Sequence, residues 1–347
     1  MNQRRNFLKA SAIGASALGL SGSAFAMNAA PAKPTPPKPK EKRLPREVWV
    51  ATVSAAGLRA DNSEKMLEQT LELMEETAAC APDIICLTET FPVANIAKRP
   101  PLQEAAAVWW EKVLPRFSDF ANENNCYLVC PLHTEEKGSV YNSAAFLDRS
   151  GQLLGRYHKI HTTTDESGRG VVAGPLDAPV FETDFGIVGA QICFDIEWRD
   201  GWEKLAEKNA EIVFWPSAFG GGKMVNTRAW EHQYAVVSST RKSPSKICDL
   251  DGTQLAVTSH WNDWVCAPIN LEKAFLHTWP FVKRFPEIQA KYGKEIRITN
   301  HADEEWSILE SLSADLRIAD VMKEFELVSL REHLAEAEKV QCSCRVN

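Results

Sequence analysis

From residue 48 to residue 217 the chain alternates short apolar runs with longer stretches of helical period, and this alternation constrains its fold more than any other feature. Val48-Trp49-Val50-Ala51-Thr52-Val53 has the composition of a strand. Residues 62–80 set Leu67, Leu71, Met74 and Ala78 on one helical stripe behind an Asn62 or Ser63 cap. Residues 84–87 predict a second strand that ends at Thr88-Glu89. A helix is expected over about 104–124, with Val108, Val113, Phe117 and Phe120 inward and Pro115 kinking or dividing it. Residues 126–130 predict a third strand, with Pro131 marking its end. A hairpin follows, 141–147 and 152–159, joined through Asp148-Arg149-Ser150-Gly151. Residues 187–192 form a strand leading into Cys193, a helix follows around 201–209, and 212–215 run into Pro216-Ser217. Strands alternating with helices in this way predict a layered α/β fold.

The two ends of the chain follow other rules. Arg4-Arg5-Asn6-Phe7-Leu8-Lys9, the weakly apolar residues 10–20 and Ala24-Phe25-Ala26 together resemble a twin-arginine export signal, cleaved after residue 26. An amphipathic N-terminal helix with two surface arginines is the alternative. Over 27–46, Pro31, Pro34, Pro36, Pro37, Pro39 and Pro45 interleave with lysines, which favours extended geometry and cannot build a core, so this segment reads as a linker. The first 46 residues carry nine Lys and Arg against Glu41; with an overall charge of -7, the remainder sits at -15. A body so acidic repels phosphate backbones and argues against nucleic acid as a partner. Cys80, Cys86, Cys126 and Cys130 fall in or beside apolar stretches and read as buried thiols, while Cys342 and Cys344 read as part of a frayed tail. The eight histidines make no recurrent ligand set with the cysteines, so no metal is expected. No apolar run reaches the roughly 20 residues that span a bilayer.

Three reactive residue types close three of the strands: Glu89, Lys159 and Cys193, separated by 70 and 34 positions. The carboxyl ends of strands are where α/β sheets place their chemistry. Singly, each has an ordinary explanation: a cap, a surface charge, a small buried hydrophobe. Their surroundings are more specific. Leu87-Thr88-Glu89-Thr90-Phe91-Pro92, Gly155-Arg156-Tyr157-His158-Lys159-Ile160-His161 and Gly189-Ala190-Gln191-Ile192-Cys193-Phe194-Asp195 resemble, in the same order, the three signature blocks of the nitrilase superfamily. Tyr141-Asn142-Ser143-Ala144 and Trp215-Pro216-Ser217-Ala218 match as supporting pieces, and the resemblance covers about residues 47–270.

The resemblance implies a four-layer αββα sandwich, pairing into dimers or higher oligomers, and hydrolysis of a small-molecule amide without a cofactor. Together with the reading of the two ends, the chain divides into a signal (1–26), a linker (27–46), a catalytic domain (47–300) and a C-terminal extension (301–347). In that extension Val321, Phe325, Val328 and Leu330 suggest one amphipathic helix over 318–338. The implied chemistry is self-consistent. A thiol of ordinary pKa, about 8.5, is mostly protonated at neutral pH and needs a base and a cation to act as a nucleophile. Glu89 would supply the first and Lys159 the second, with the Phe194 N–H completing an oxyanion site. A second glutamate upstream of the Tyr-Asn pair corresponds to Glu135 or Glu136, of which Glu135 is favoured; a surface acidic turn explains that pair equally well. Phe194-Asp195 after the cysteine favours amides over nitriles. Tyr141, Trp198, Arg199 and Ser217 are candidate substrate contacts, with Arg199 offered to a carboxylate, although packing by Trp198 and a surface ion pair for Arg199 stand beside that reading. Hydrolysis of an amide or carbamoyl amide is the expected activity. Acyl transfer from the same thioester, nitrile hydrolysis and binding without turnover are the alternatives.

Overall fold

The computed structural model describes residues 44–242 and 244–345, so the expected signal and nearly all of the linker lie outside the described residues. Strands β1 (Glu47–Val53), β2 (Ile84–Cys86) and β3 (Tyr127–Glu136) run parallel; β4 (Ser139–Leu147) and β5 (Leu153–His158) add antiparallel beside β3. A second sheet holds β6 (Val180–Glu182), β7 (Ile187–Ala190), β8 (Ile212–Ser217), β9 (Ala235–Thr240), β10 (Lys246–Cys248) and β11 (Gln254–Val257) in chain order, the middle three of β7 to β9 parallel. Strand β12 (Trp264–Asn270) returns to pair antiparallel with β1.

Period-two alternation sorts each strand between two cores. Val48, Val50, Ile84, Cys86, Val129 and Phe146 join Val188, Ala190 and Val213 in the core between the sheets. Ala51, Val53, Ile85, Leu128 and Leu147 instead meet helices α1 (Ser63–Thr77), α2 (Leu102–Val108) and α3 (Leu114–Asn124) outside the first sheet. The short α4 (Thr164–Gly168) follows β5, and α5 (Asp200–Glu207) and α6 (Lys223–His232) bring Trp202, Leu205, Val225 and Ala229 to the second sheet. The result is the sandwich of two helix-flanked sheets that the sequence predicts. Burial on both faces explains why these strands read as continuous apolar runs. Hydroxyls join the sheets at one end: Thr52 Oγ1 donates to Ser238 O (2.7 Å) and Ser239 Oγ to Val53 O (2.8 Å). At that same end β2 and β7 run out toward Glu89 and Cys193.

Several expectations need correction. Pro131 does not end its strand, because β3 has lost its β2 neighbour after Val129 and pairs from there on with β4 alone, where a missing N–H is tolerated. The helix over 104–124 is interrupted by a π turn at Trp109–Val113, and Pro115 sits in the first turn of α3, where it needs no donor. The boundary at 300 cuts through a small antiparallel sheet. This comprises β13 (Lys273–His277), β14 (Ile296–His301) and β15 (Trp306–Ser311), with α7 (Thr278–Phe281) and α8 (Phe285–Tyr292) between the first two strands. Its core of Leu276, Phe285, Ile288 and Leu309 also takes Val321 from α9 (Ile318–Glu324). The helix expected over 318–338 is two: Glu326 takes φ +54, and Ser329 with Glu332 forms a capping box that starts α10 (Leu330–Cys344). Cys342 and Cys344 lie in that helix, exposed, rather than in a frayed tail. All nine cysteines are free thiols; Cys86, Cys126 and Cys130 are buried and Cys80 is half-buried.

Candidate active site

Each reactive side chain is aimed by the way its strand ends. Past β2, Leu87 N still donates to Val129 O, and Thr90, in the left-handed region at φ +47, turns the chain just after Glu89. Lys159 follows β5 directly, with its N–H on Asn142 O at 2.8 Å and its carbonyl accepting from Gly174 N at 2.8 Å. Cys193 itself sits at φ +49, a conformation costing on the order of 1–3 kcal/mol for a residue with a Cβ unless the surroundings enforce it. Here they do. Asp195, fully buried, accepts from Ile192 N (2.8 Å), Tyr157 Oη (2.7 Å) and His161 N (2.7 Å). Trp215 Nε1 donates to Cys193 O (3.1 Å), and Trp202 Nε1 to Asp195 O (3.0 Å). The Phe194 N–H, just past the thiol, has no acceptor among the described residues.

Lys159 is 1 % exposed and lies between two carboxylates, 3.3 Å from Glu89 Oε1 and 2.8 Å from Glu166 Oε2. Asn142 Nδ2 bridges the same pair, donating to Glu89 Oε1 (3.0 Å) and Glu166 Oε1 (2.8 Å). The other oxygen of Glu89, Oε2, is buried and accepts no hydrogen bond; Arg241 Nη2 stands 3.8 Å away. Burial opposes every charge in this group, and the partners decide the outcome. Burial alone would lower the Lys159 pKa, but Glu89, Cys193 and Glu166 together hold it above its ordinary value. Burial would raise the Glu166 carboxyl, yet the Lys159 charge and hydrogen bonds from Lys159, Thr163 and Asn142 bring it down to about 2. The Cys193 thiol goes the other way. Burial, then the Glu89 charge, push it up to about 12 against the pull of Lys159 and hydrogen bonds from Ala218 N–H and the Ser217 hydroxyl. The thiol therefore rests protonated near Glu89, one of whose oxygens accepts no hydrogen bond.

The structure brings Glu89, Lys159, Cys193 and the Phe194 N–H together and adds Ser217, whose hydroxyl meets the thiol while its oxygen accepts from Phe219 N (3.1 Å). Glu135 is elsewhere: it lies at the exposed end of β3 and accepts from Gly138 N (3.0 Å) in the hairpin turn. The second carboxylate of the site is Glu166. The Thr163-x-x-Glu166 capping-box pattern was its visible signal, since Glu166 caps α4 reciprocally with Thr163 while holding Lys159. Tyr141 is also displaced from its expected place. Neighbouring strand residues face opposite ways, so Asn142 points into the site and Tyr141 stacks on His158 at 4.2 Å. Trp198 stacks on His161 (4.2 Å) and meets the Phe194 ring edge-on (4.8 Å), flanking the turn that carries Cys193. Arg199 is exposed and pairs with Glu203 of α5 at 3.4 Å, so it offers nothing to the site. A cavity of about 380 Å³ lined by Tyr234, Leu271, Lys273 and Arg331 lies at the opposite ends of β7 to β9 and is separate from this chemistry.

A helix-flanked two-sheet sandwich with an acidic, a basic and a thiol side chain converging at its strand ends has the layout of an enzyme active site. The chain belongs to the carbon-nitrogen hydrolase family, whose profile matches residues 50–274 and so ends where β13 begins. It is 24% identical to an omega-amidase of Homo sapiens over 249 residues, covering 67% of this chain and 88% of that protein. With a deaminated glutathione amidase of Mus musculus it shares 26% over 273 residues, 67% and 82% of the two chains. With a Synechocystis sp. protein of the same description the identity is 36%, but over 94 residues, spanning about a third (34%) of that relative's length. Among solved structures, a carbon-nitrogen hydrolase from Helicobacter pylori superposes with a TM-score of 0.59 at 18% identity, over 71% of this chain and 93% of that one. An amidase from Nesterenkonia sp., carrying the acetamide moiety of fluoroacetamide covalently added at its active-site cysteine, gives 0.57 at 15% identity over 67% and 92%.

Proposed function

We propose that this protein hydrolyses the carbon-nitrogen bond of a small amide through a thioester on Cys193. The observation that carries the proposal is the buried, hydrogen-bond-free Oε2 of Glu89 beside a thiol that rests protonated. A base with one oxygen held by Lys159 and Asn142 and the other open can take the thiol proton only when substrate arrives, which keeps the thiol unreactive between turnovers. The thiolate then adds to the amide carbon, and the carbonyl electron pair moves onto oxygen, facing Lys159 and the Phe194 N–H. Collapse expels ammonia or an amine, which takes the proton from Glu89. Glu89 next removes a proton from water as it adds to the thioester, and returns it to the departing thiolate. Glu166 holds Lys159 charged and in place throughout. The relatives' descriptions as amidases, and the cysteine adduct of the Nesterenkonia protein, support this reading. We further propose export by way of Arg4-Arg5 and assembly into a homo-oligomer through α10, a helix whose Leu334 and Val340 are about half exposed (50% and 55%).

Ammonia release from a panel of amides, carbamoyl amides and nitriles, with Cys193→Ala alongside, tests the mechanism. Amide turnover that vanishes in the variant is the expected result; equal release by both proteins rules out the thioester.

A further inference from the structure

Two thiols meet on the helix-covered face of the first sheet, away from the site described above. Cys80 ends the single 3₁₀ turn Ala78–Cys80 that closes α1, and Cys266 lies opposite Ala51 in the edge strand β12. Helix α1 joins the parallel strands β1 and β2, so it runs against β1 and therefore along β12, which is antiparallel to β1. Two contacts fix how helix and strand lie together. Trp264 Nε1 donates to Glu76 Oε2 at 3.1 Å, and the Cys266 thiol hydrogen-bonds to Cys80. A helix advances about 6 Å in four residues and a strand about 6.6 Å in two, so Glu76 with Trp264 and Cys80 with Cys266 form successive rungs on one face. Both thiols are half-buried, whereas Cys86, Cys126, Cys130, Cys193 and Cys248 are buried. Cys342 and Cys344 are exposed, but two residues apart on α10 they face different ways. Among the described residues, Cys80 and Cys266 are thus the thiols that both touch each other and stand open to a solute. Burial, then Cys80, push the Cys266 thiol up, so Cys266 keeps its proton and donates it, leaving Cys80 as the sulfur that attacks first.

We propose that Cys80 and Cys266 form a disulfide by exchange with a small disulfide such as oxidised glutathione, and that this bond fastens the end of α1 to β12 in an oxidising compartment. Cys80, as thiolate, attacks one sulfur of glutathione disulfide. That S–S bond breaks, and the departing glutathione thiolate takes the proton that Cys80 gave up. Cys266 then gives up its proton, attacks the Cys80 sulfur of the mixed disulfide and expels a second glutathione, which takes that proton. The protein loses two electrons and two protons, and glutathione disulfide gains both. The adjustment falls on the turn that carries Cys80, which Ala81 ends in the left-handed region at φ +46, and the body of α1 stays in place. The two cysteines are 186 positions apart, so the bond closes a loop containing Glu89, Lys159 and Cys193, and loops of that length constrain the unfolded chain most. Neither the amidase reading nor export enters the pairing; export decides only where the bond closes.

The test uses the full chain with Cys342→Ser and Cys344→Ser, which removes the exposed thiols of α10, and the same chain with Cys80→Ser or Cys266→Ser added. Each is equilibrated with oxidised glutathione or with dithiothreitol, free thiols are counted in denaturant, and joined peptides are mapped by mass spectrometry. The expected result is a loss of two thiols that maps to a Cys80–Cys266 bond, with a melting temperature raised by about 4–8 °C and restored by dithiothreitol. Cys80→Ser should lose both the bond and the shift, and Cys266→Ser should stop with one glutathione on Cys80. A thiol count unchanged by oxidation, glutathione left on Cys80 or Cys266 of the parent chain without a cross-link, or a bond mapped to other cysteines overturns the pairing. A Cys80–Cys266 bond that leaves the melting temperature unmoved overturns its role as a fastener.

Discussion

Lys159 is the residue on which the site turns, because a buried ammonium is tolerated only where carboxylates surround it. In the proposed mechanism, removing one of them by Glu166→Gln would leave Glu89 to neutralise the cation and accept the thiol proton at once; kcat is expected to fall about 100-fold or more, the scale of a lost general-base contribution, in steady-state assays. Glu135→Gln, changing only a hairpin turn, is expected to leave kcat within about twofold. Ser217→Ala removes a hydrogen bond that favours the thiolate, so alkylation of Cys193 by iodoacetamide should slow by about fivefold, the value of one ordinary hydrogen bond. Titration sets a further expectation. Burial lowers His133 and His232 from 6.5 to about 4, so in the folded state they stay neutral where the unfolded chain binds protons. Their contribution is present above 6.5 and is lost as pH falls toward 4. Glu166, lowered from 4.5 to about 2, adds a loss of the same sign below 4.5. Denaturation midpoints should therefore decline from pH 7 to 4, each histidine contributing at most about 1.4 kcal/mol per pH unit, and His232→Gln should flatten the slope.

At the level of elements, short structures fix the reactive groups. Helix α4 is five residues long and earns its place through one capping box, in which Glu166 serves both as cap and as partner of Lys159. Thr163→Ala should cost about 1 kcal/mol of stability and lower kcat while leaving the fold intact, a combination read from thermal melts and kinetics together. Gly174 allows a close approach of two backbones: a Cβ there would stand 2.3 Å from His158 O, at the point where Lys159 leaves β5. Gly174→Ala is expected to destabilise by about 1–3 kcal/mol and to displace the ammonium. The main strands and the hairpin were legible because apolar alternation and turn residues act locally. The break between α9 and α10 was not, because the charged and apolar residues over 318–338 fit one continuous helical stripe, and only the Ser329–Glu332 cap and the left-handed Glu326 divide it.

For the whole molecule, the exposed apolar side of α10 and the Arg4-Arg5 pair lead to two expectations. Ending the chain after His333 should convert the proposed oligomer to monomers in light scattering while the sandwich keeps its melting behaviour, since of α10 only Leu330 is buried. Replacing Arg4 and Arg5 by lysine should retain the unprocessed chain inside the cell in fractionation experiments. The third sheet, whose Trp306 stacks on Trp230 of α6 at 4.6 Å, extends beyond the matched family region and makes 273–311 part of the folded body.

The sequence by itself determined the alternation and the layering and singled out Glu89, Lys159 and Cys193 as candidates, because strand ends, turn chemistry and residue reactivity are local properties. Tertiary structure alone decided which further groups reach them. Asn142 was separated from Tyr141 by strand pleating, Glu166 arrived by a helical turn folding back on Lys159, and Arg241 came from a loop 48 positions beyond Cys193. Such neighbours are set by how two sheets pack, and packing brings together residues whose separation along the chain carries no signal of their contact.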